Sequence, residues 1–179
     1  MTERGSARHS LNVDFFTSTH RLTGQVEVGG PGLVGLLNDP LTSIFTARNV
    51  YVSRITDPAK IVGHFEEASL VKANIVLGLV SRREDLGPQG FFRPGSGKIL
   101  SAAILLTTQL YEVQATTEYI SRIDPDAILV GGQTGASRFT VMYNVTVIPV
   151  PYPNVTPFTA SAMFINRNHI TGMYVNKGK

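Results

Sequence analysis

Apolar and polar residues alternate along this chain in short blocks, and the period of the blocks is more often that of a strand than that of a helix. Segments rich in Val, Ile, Thr, Phe and Tyr run over 21–28, 43–55, 61–65, 69–80, 99–115, 138–148, 158–165 and 169–175. Such residues at period two suit a pleated, half-buried surface. Clusters of Gly, Pro, Asn and Asp separate them, among them GGPG, NDP, TDP, GGQTG and PYPN, and these supply the backbone angles of turns. In RFTVMYNVTVI (138–148) one face carries Phe139, Val141, Tyr143, Val145 and Val147, and the other carries Arg138, Thr140, Met142, Asn144, Thr146 and Ile148. That is the pattern of a half-buried antiparallel strand. Two stretches carry helix signals. GLVGLLND (32–39) stops at Asn-Asp-Pro; TTEYISRIDPD (116–126) has Thr116 or Thr117 as N-cap, Glu118 in the first turn and Asp-Pro beyond its end.

The order of these elements recurs. FTARNVYV (45–52) is matched by FTVMYNVTV (139–147), and a similar spacing lays SLVKANIVLG (69–78) on MFINRNHITG (163–172), so that Lys72 meets Asn166, Asn74 meets Asn168 and Gly78 meets Gly172. Upstream of each lies a strand, a short helix and a Pro-containing turn. The expectation is a mainly β chain of two tandem units from an internal duplication, each with a short helix. The N-terminus (1–10) is expected to be flexible, followed by a first β unit (11–80), a linker or loop (81–98) and a second β unit (99–179). The linker, SRREDLGPQGFFRPGSGK, has no sustained period, and its Phe91 and Phe92 are expected to dock on one unit or to meet a partner.

A strand, a short helix, a long strand ending in Asn-Val and a hairpin closed by a basic or Asn knuckle together resemble the Sm-like small β-barrel. The residues that carry the resemblance are Asn49 and Asn144 in the strands, with Val71-Lys72-Ala73-Asn74-Ile75 and Ile165-Asn166-Arg167-Asn168-His169-Ile170 in the knuckles. GLVGLLN (32–38) and INRNHI (165–170) are also similar to a group of short, uncharacterised bacterial β domains that pair a G-x-L-x-x-L-L-N segment with a V-N-R-D-H-I hairpin. The first resemblance implies two tandem Sm-like small β-barrels and an RNA-binding role for Lys72, Asn74, Arg167 and Asn168.

Composition narrows the chemistry. The chain has no cysteine, which removes disulfides, thiolate nucleophiles and Cys metal sites together. Its four histidines form no HxH, HExxH or HxxxH pair, so His169 reads as the start of a return strand after an Asn-Arg turn, and no metal is expected. GSGK (95–98) lacks both the earlier glycine and the Ser/Thr of a phosphate loop, no G-x-S-x-G elbow occurs, and the acid pairs sit at turns or on solvated faces. No active site and no cofactor are expected. The apolar run Ile99–Leu110 is short of the ~20 residues of a membrane helix, so membrane insertion is not expected and the cytoplasm is the default compartment.

A net charge of +3 spread over interspersed basic and acidic residues is a weak signal for a polyanion partner. Charge is scarce where it matters more: from Ala127 to Asn166 the only charged residue is Arg138. Two readings of that stretch stay open. It forms an interface, because interface cores are depleted in charge, with Tyr143, Val145, Val147, Tyr152 and Phe158 as contacts; or its strands are covered by the other unit. The leading functional expectation is a non-catalytic protein that binds another protein or itself as a homo-oligomer, and the alternative is an RNA binder.

Overall fold

The computed structural model describes residues 8–88, 97–130 and 137–175. The elements are β1 (His9–Phe16), β2 (His20–Val28), α1 (Gly32–Asn38), β3 (Ile44–Arg54), β4 (Asp57–Val71), β5 (Leu77–Val80), β6 (Ile99–Thr108), β7 (Tyr111–Ile120), α2 (Pro125–Leu129), β8 (Phe139–Pro149), β9 (Phe158–Asn166) and β10 (Ile170–Val175). Short 3-10 turns occupy Lys72–Asn74, Arg83–Leu86 and Arg167–His169. The mainly β expectation holds. The strands form one antiparallel sheet of ten in the order β10-β6-β7-β8-β9-β5-β1-β2-β3-β4. It does not close into barrels: it ends at β10 on one side and β4 on the other.

Several element boundaries differ from the sequence reading, each for a local reason. The run 99–115 is not one strand but β6 and the start of β7. The chain reverses where Thr108 Oγ1 accepts hydrogen bonds from the amides of Leu110 (3.2 Å) and Tyr111 (2.9 Å), so a threonine hydroxyl does the work usually left to Gly or Asn. Thr17 makes the β1–β2 turn in the same way, accepting from His20 N at 3.0 Å. Thr116 and Thr117 lie within β7 and cap no helix. The Asp-Pro taken as a stop instead starts α2: Asp124 Oδ1 accepts from Asp126 N (3.0 Å) and Ala127 N (3.3 Å), with Pro125 at the first helical position. The run 69–80 is broken by the turn at Lys72–Asn74, and β1 begins at His9, inside the tail expected to be flexible.

The first part of the expected linker is a plug. Leu86 is fully buried in the core. Arg83 holds Glu118 through two hydrogen bonds of 2.6 and 2.5 Å and stacks its guanidinium 3.7 Å from the Tyr143 ring centre. Gly87, at φ 85°, passes so close to Gly32, at φ 71°, that a Cβ on Gly32 would lie 2.4 Å from the Gly87 Cα. Phe91 and Phe92 lie outside the described residues.

Strands β1–β5 and β6–β10 hold the same relative order within the sheet, and matching details recur in the two halves. Asn49 and Asn144 both take the left-handed conformation (φ 49° and 50°) at bulges opposite β2 and β7, a position for which Asn is suited. Lys72 N donates to Ser43 O at 3.0 Å, and Arg167 N to Arg138 O at 2.9 Å. Ile55 N donates to Thr19 O and Val150 N to Leu110 O. Lys72 therefore corresponds to Arg167, one residue away from the sequence pairing with Asn166, because the segment RFTVMYNV holds one residue more before its Asn than FTARNV aligned on the same Phe-Thr suggests.

Two hydrophobic clusters lie on opposite faces of the junction between β5 and β9. One gathers Leu11, Val13, Phe15, Leu33, Leu37 and Phe45 with Phe139, Tyr143 and Phe164; the other gathers Ile104, Leu106, Tyr111, Val113, Val145 and Val147 with Phe16, Leu77 and Leu79. Each cluster therefore borrows side chains from the other half of the chain. The face expected to unite Phe139, Tyr143, Val145 and Val147 is split between them, because the extra residue at the Asn144 bulge shifts the alternation.

At the junction Gly78 sits opposite Phe164, and a Cβ on Gly78 would lie 2.1 Å from the ring Cζ. Gly78→Ala is expected to lower stability by about 1–3 kcal/mol through overpacking, with part of the loss recovered on adding Phe164→Leu. Thermal unfolding of the two variants checks both statements.

Candidate functional site

The residues expected to form an interface are mostly inside the protein. Tyr143, Val145 and Val147 are buried in its own cores, and Tyr152 and Phe158 are partly buried against the second cluster. Phe158 also packs edge-on against Phe16, with ring centres 4.8 Å apart. Burial pushes the Tyr143 hydroxyl pKa up, opposed by the neighbouring Arg83 guanidinium. Across this charge-poor stretch one face of β8 and the second half of β9 are buried, while Asn144, Thr159 and Ser161 stand exposed.

The knuckle cations are likewise spent inside the fold. Lys72, expected as a nucleic-acid contact, is buried. Its ammonium donates to Leu36 O (2.7 Å), Asp39 O (3.1 Å) and Thr42 Oγ1 (2.7 Å), filling the carbonyls left open at the end of α1. Burial lowers its pKa, offset in part by the Asp39 charge and reinforced by Arg138. Arg167 plays the same part for α2: Nε donates to Ile128 O at 2.8 Å and Nη2 to Ala127 O at 3.2 Å, while Nη1 bonds Ser137 and Phe139 O. Burial lowers its pKa as well. Asn74 and Asn168 are exposed at the tips, so the structure brings four predicted residues to two adjacent turns but leaves only the neutral pair facing out.

His169 belongs to that turn, with Nε2 3.0 Å from Ala73 O, and His64 stacks on Tyr51 with ring centres 4.3 Å apart. Among the described residues no group of three or more His, Cys, Asp or Glu could hold a metal ion, and no helix is long and apolar enough to cross a membrane. An open groove of about 640 Å³ runs across the sheet past Asn12, Asp14, Arg21, Thr23, Asn144 and Ser161. Its carboxylate is already committed: Asp14 pairs with Arg21 at 2.7 Å and accepts from the Thr23 hydroxyl.

What remains unmet is backbone. Strand β4 runs for fifteen residues along the end of the sheet and, among the described residues, has β3 as its one neighbour. Ile61, Val62, Phe65 and Val71 stand exposed along it, beside exposed Tyr51 on β3. At the far end β10 pairs, among the described residues, with β6 alone, and its Tyr174 is exposed. An unpaired strand is a row of free N–H and C=O groups that pairs readily with another chain unless Pro, charge or a bulge blunts it. Sequence reasoning missed these edges. The signal available was the charge-free runs ASLV (68–71) and ITGMYV (170–175), but an edge is recognised only once strand order is known.

Lys72→Met is expected to cost about 1–3 kcal/mol, as three acceptors lose their donor, with a lower unfolding midpoint in urea. The same variant is expected to leave any binding of a single-stranded RNA probe unchanged at temperatures where it stays folded, measured by fluorescence anisotropy. No protein-family model matches this chain, and no curated protein or solved structure matches it either.

Proposed function

We propose that this chain is a non-catalytic β protein that works by binding protein, in the first place by associating with copies of itself. The observation that carries the reading is the open edge β4, fifteen residues long and set with exposed Ile61, Val62, Phe65 and Val71. Exposed apolar side chains concentrated on one element favour a contact surface over a solvated one. The same reading takes β1–β5 and β6–β10 as two descendants of one small β unit, a view supported by the matched bulges at Asn49 and Asn144 and the matched bonds of Lys72 and Arg167. RNA binding finds less support, since the two cations it relied on are occupied at helix ends.

The test is the absolute mass in solution, by light scattering after size exclusion at low and high salt. The expected result is a multiple of the 19.4 kDa chain that persists at high salt, because apolar contacts and backbone pairing are screened little. A monomer at every concentration and salt overturns the reading.

A further inference from the structure

The sheet already contains one joint between its two halves, and that joint shows how its ends would meet. β5 and β9 pair antiparallel with Leu77 opposite Ile165, Gly78 opposite Phe164, Leu79 opposite Met163 and Val80 opposite Ala162. Asn166 N donates to Val76 O at 2.9 Å at the start of this ladder. By the correspondence set by Lys72 and Arg167, β4 stands to the first half as β9 stands to the second, and β10 stands to the second half as β5 stands to the first. The joint is therefore made of one edge of each kind, and among the described residues one edge of each kind is left unpaired.

Resting on the self-association reading above, we propose that β10 of one copy adds antiparallel to β4 of the next, with Gly172 opposite Leu70, Met173 opposite Ser69, Tyr174 opposite Ala68 and Val175 opposite Glu67 of that next copy.

Three observations support this register. The first is burial: Leu79 is 6% exposed at the internal joint, whereas Tyr174, which holds its place in β10, is 58% exposed. Met163 and Ile165 are fully buried, whereas Ala68 and Leu70, which hold their places in β4, are partly exposed at the rim of the first cluster. Tyr174 of one copy would close that rim on the next. The second is backbone direction. Lys72 N points to β3, where it bonds Ser43 O, and the β3–β4 register is regular from Ile44/Val71 to Arg48/Glu67. Alternation then turns the amides of Val71 and Ser69 outward, as Asn166 N is turned toward β5. The third is where the edge is left unguarded. Pro58, Lys60 and Glu66 protect the rest of β4, but Ala68–Val71 and all of β10 carry neither charge nor proline; Glu67 lies at the far end of the register, and the bulge of β10, between Ile170 and Gly172, at its near end. A contact between two different surfaces repeats from copy to copy, so the product is a ring or a filament.

The absence of cysteine makes the register directly readable. Tyr174 and Ala68 would face each other as a close, non-hydrogen-bonded pair, within disulfide range, whereas a neighbour two residues along is a diagonal pair at ~7–8 Å. The full chain carrying Ala68→Cys and Tyr174→Cys is oxidised and run without reductant. A ladder of covalent multimers, at least fivefold stronger than from Glu66→Cys with Tyr174→Cys, is the expected result. No ladder, or an equal one from both pairs, from variants that keep the wild-type mass under reducing conditions overturns the register while leaving self-association standing. A second variant does not depend on disulfide geometry. Ser69→Pro removes an outward amide and none from the β3–β4 ladder, and should reduce the assembly to 19.4 kDa with an unchanged far-ultraviolet circular dichroism spectrum. An unchanged mass there overturns the proposal. A monomeric wild-type chain overturns the broader reading and this one with it.

Discussion

The structure depends on the short joint of β5 with β9, and within it on Asn166. This side chain is fully buried, yet it has little left to satisfy. Its amide nitrogen donates to Ile75 O at 3.1 Å and lies within reach of Ala73 O and Lys72 O, and its carbonyl accepts from Asn168 N. One residue thus holds both tight turns, the one after β4 and the one after β9, against each other. A buried amide with its donors and acceptors used rigidifies its surroundings, and one left unpaired would cost ~1–3 kcal/mol. Four residues of β5 then suffice to join the halves, since Gly78 lets the Phe164 ring settle against the backbone.

The two helices are held by the same device used twice. Both are short, seven residues and five, far below the length at which a helix is stable alone. Each ends with bare carbonyls that a cation from a neighbouring turn satisfies, Lys72 at α1 and Arg167 at α2. Asn38 then fixes α1 to β8, giving and accepting a hydrogen bond with Phe139. Basic residues in exposed hairpins suggest a polyanion partner, but here their charge is directed inward, where it compensates helix ends.

A sheet that ends in two open edges differs in kind from one that closes. Closure removes the free backbone groups, and an open sheet must shield them or use them. Here shielding is uneven: acidic residues and a proline guard most of β4, whereas β10 carries neither charge nor proline and has a bulge only at its start, between Ile170 and Gly172. The self-association proposed above rests on the ends of the sheet and not on the polar groove, whose Asp14 is held by Arg21 and Thr23.

By itself the sequence determined local character. Period-two patterning gave the β class, the first helix was found within a residue of its end, and the turn at Asn166–His169 was legible from its Asn and Arg. The Thr17 and Thr108 turns and the α2 start were not, because a threonine hydroxyl or an Asp-Pro pair serves strands and helix ends alike, and the spatial course of the neighbouring chain selects between them. The same holds for partners. Lys72, Arg167 and the charge-poor strands look the same in sequence whether they face water, another molecule or the protein's own core. Only tertiary structure decided between these, because strand order alone fixes which edges are paired, and burial belongs to what lies opposite a residue and leaves no mark on the residue itself.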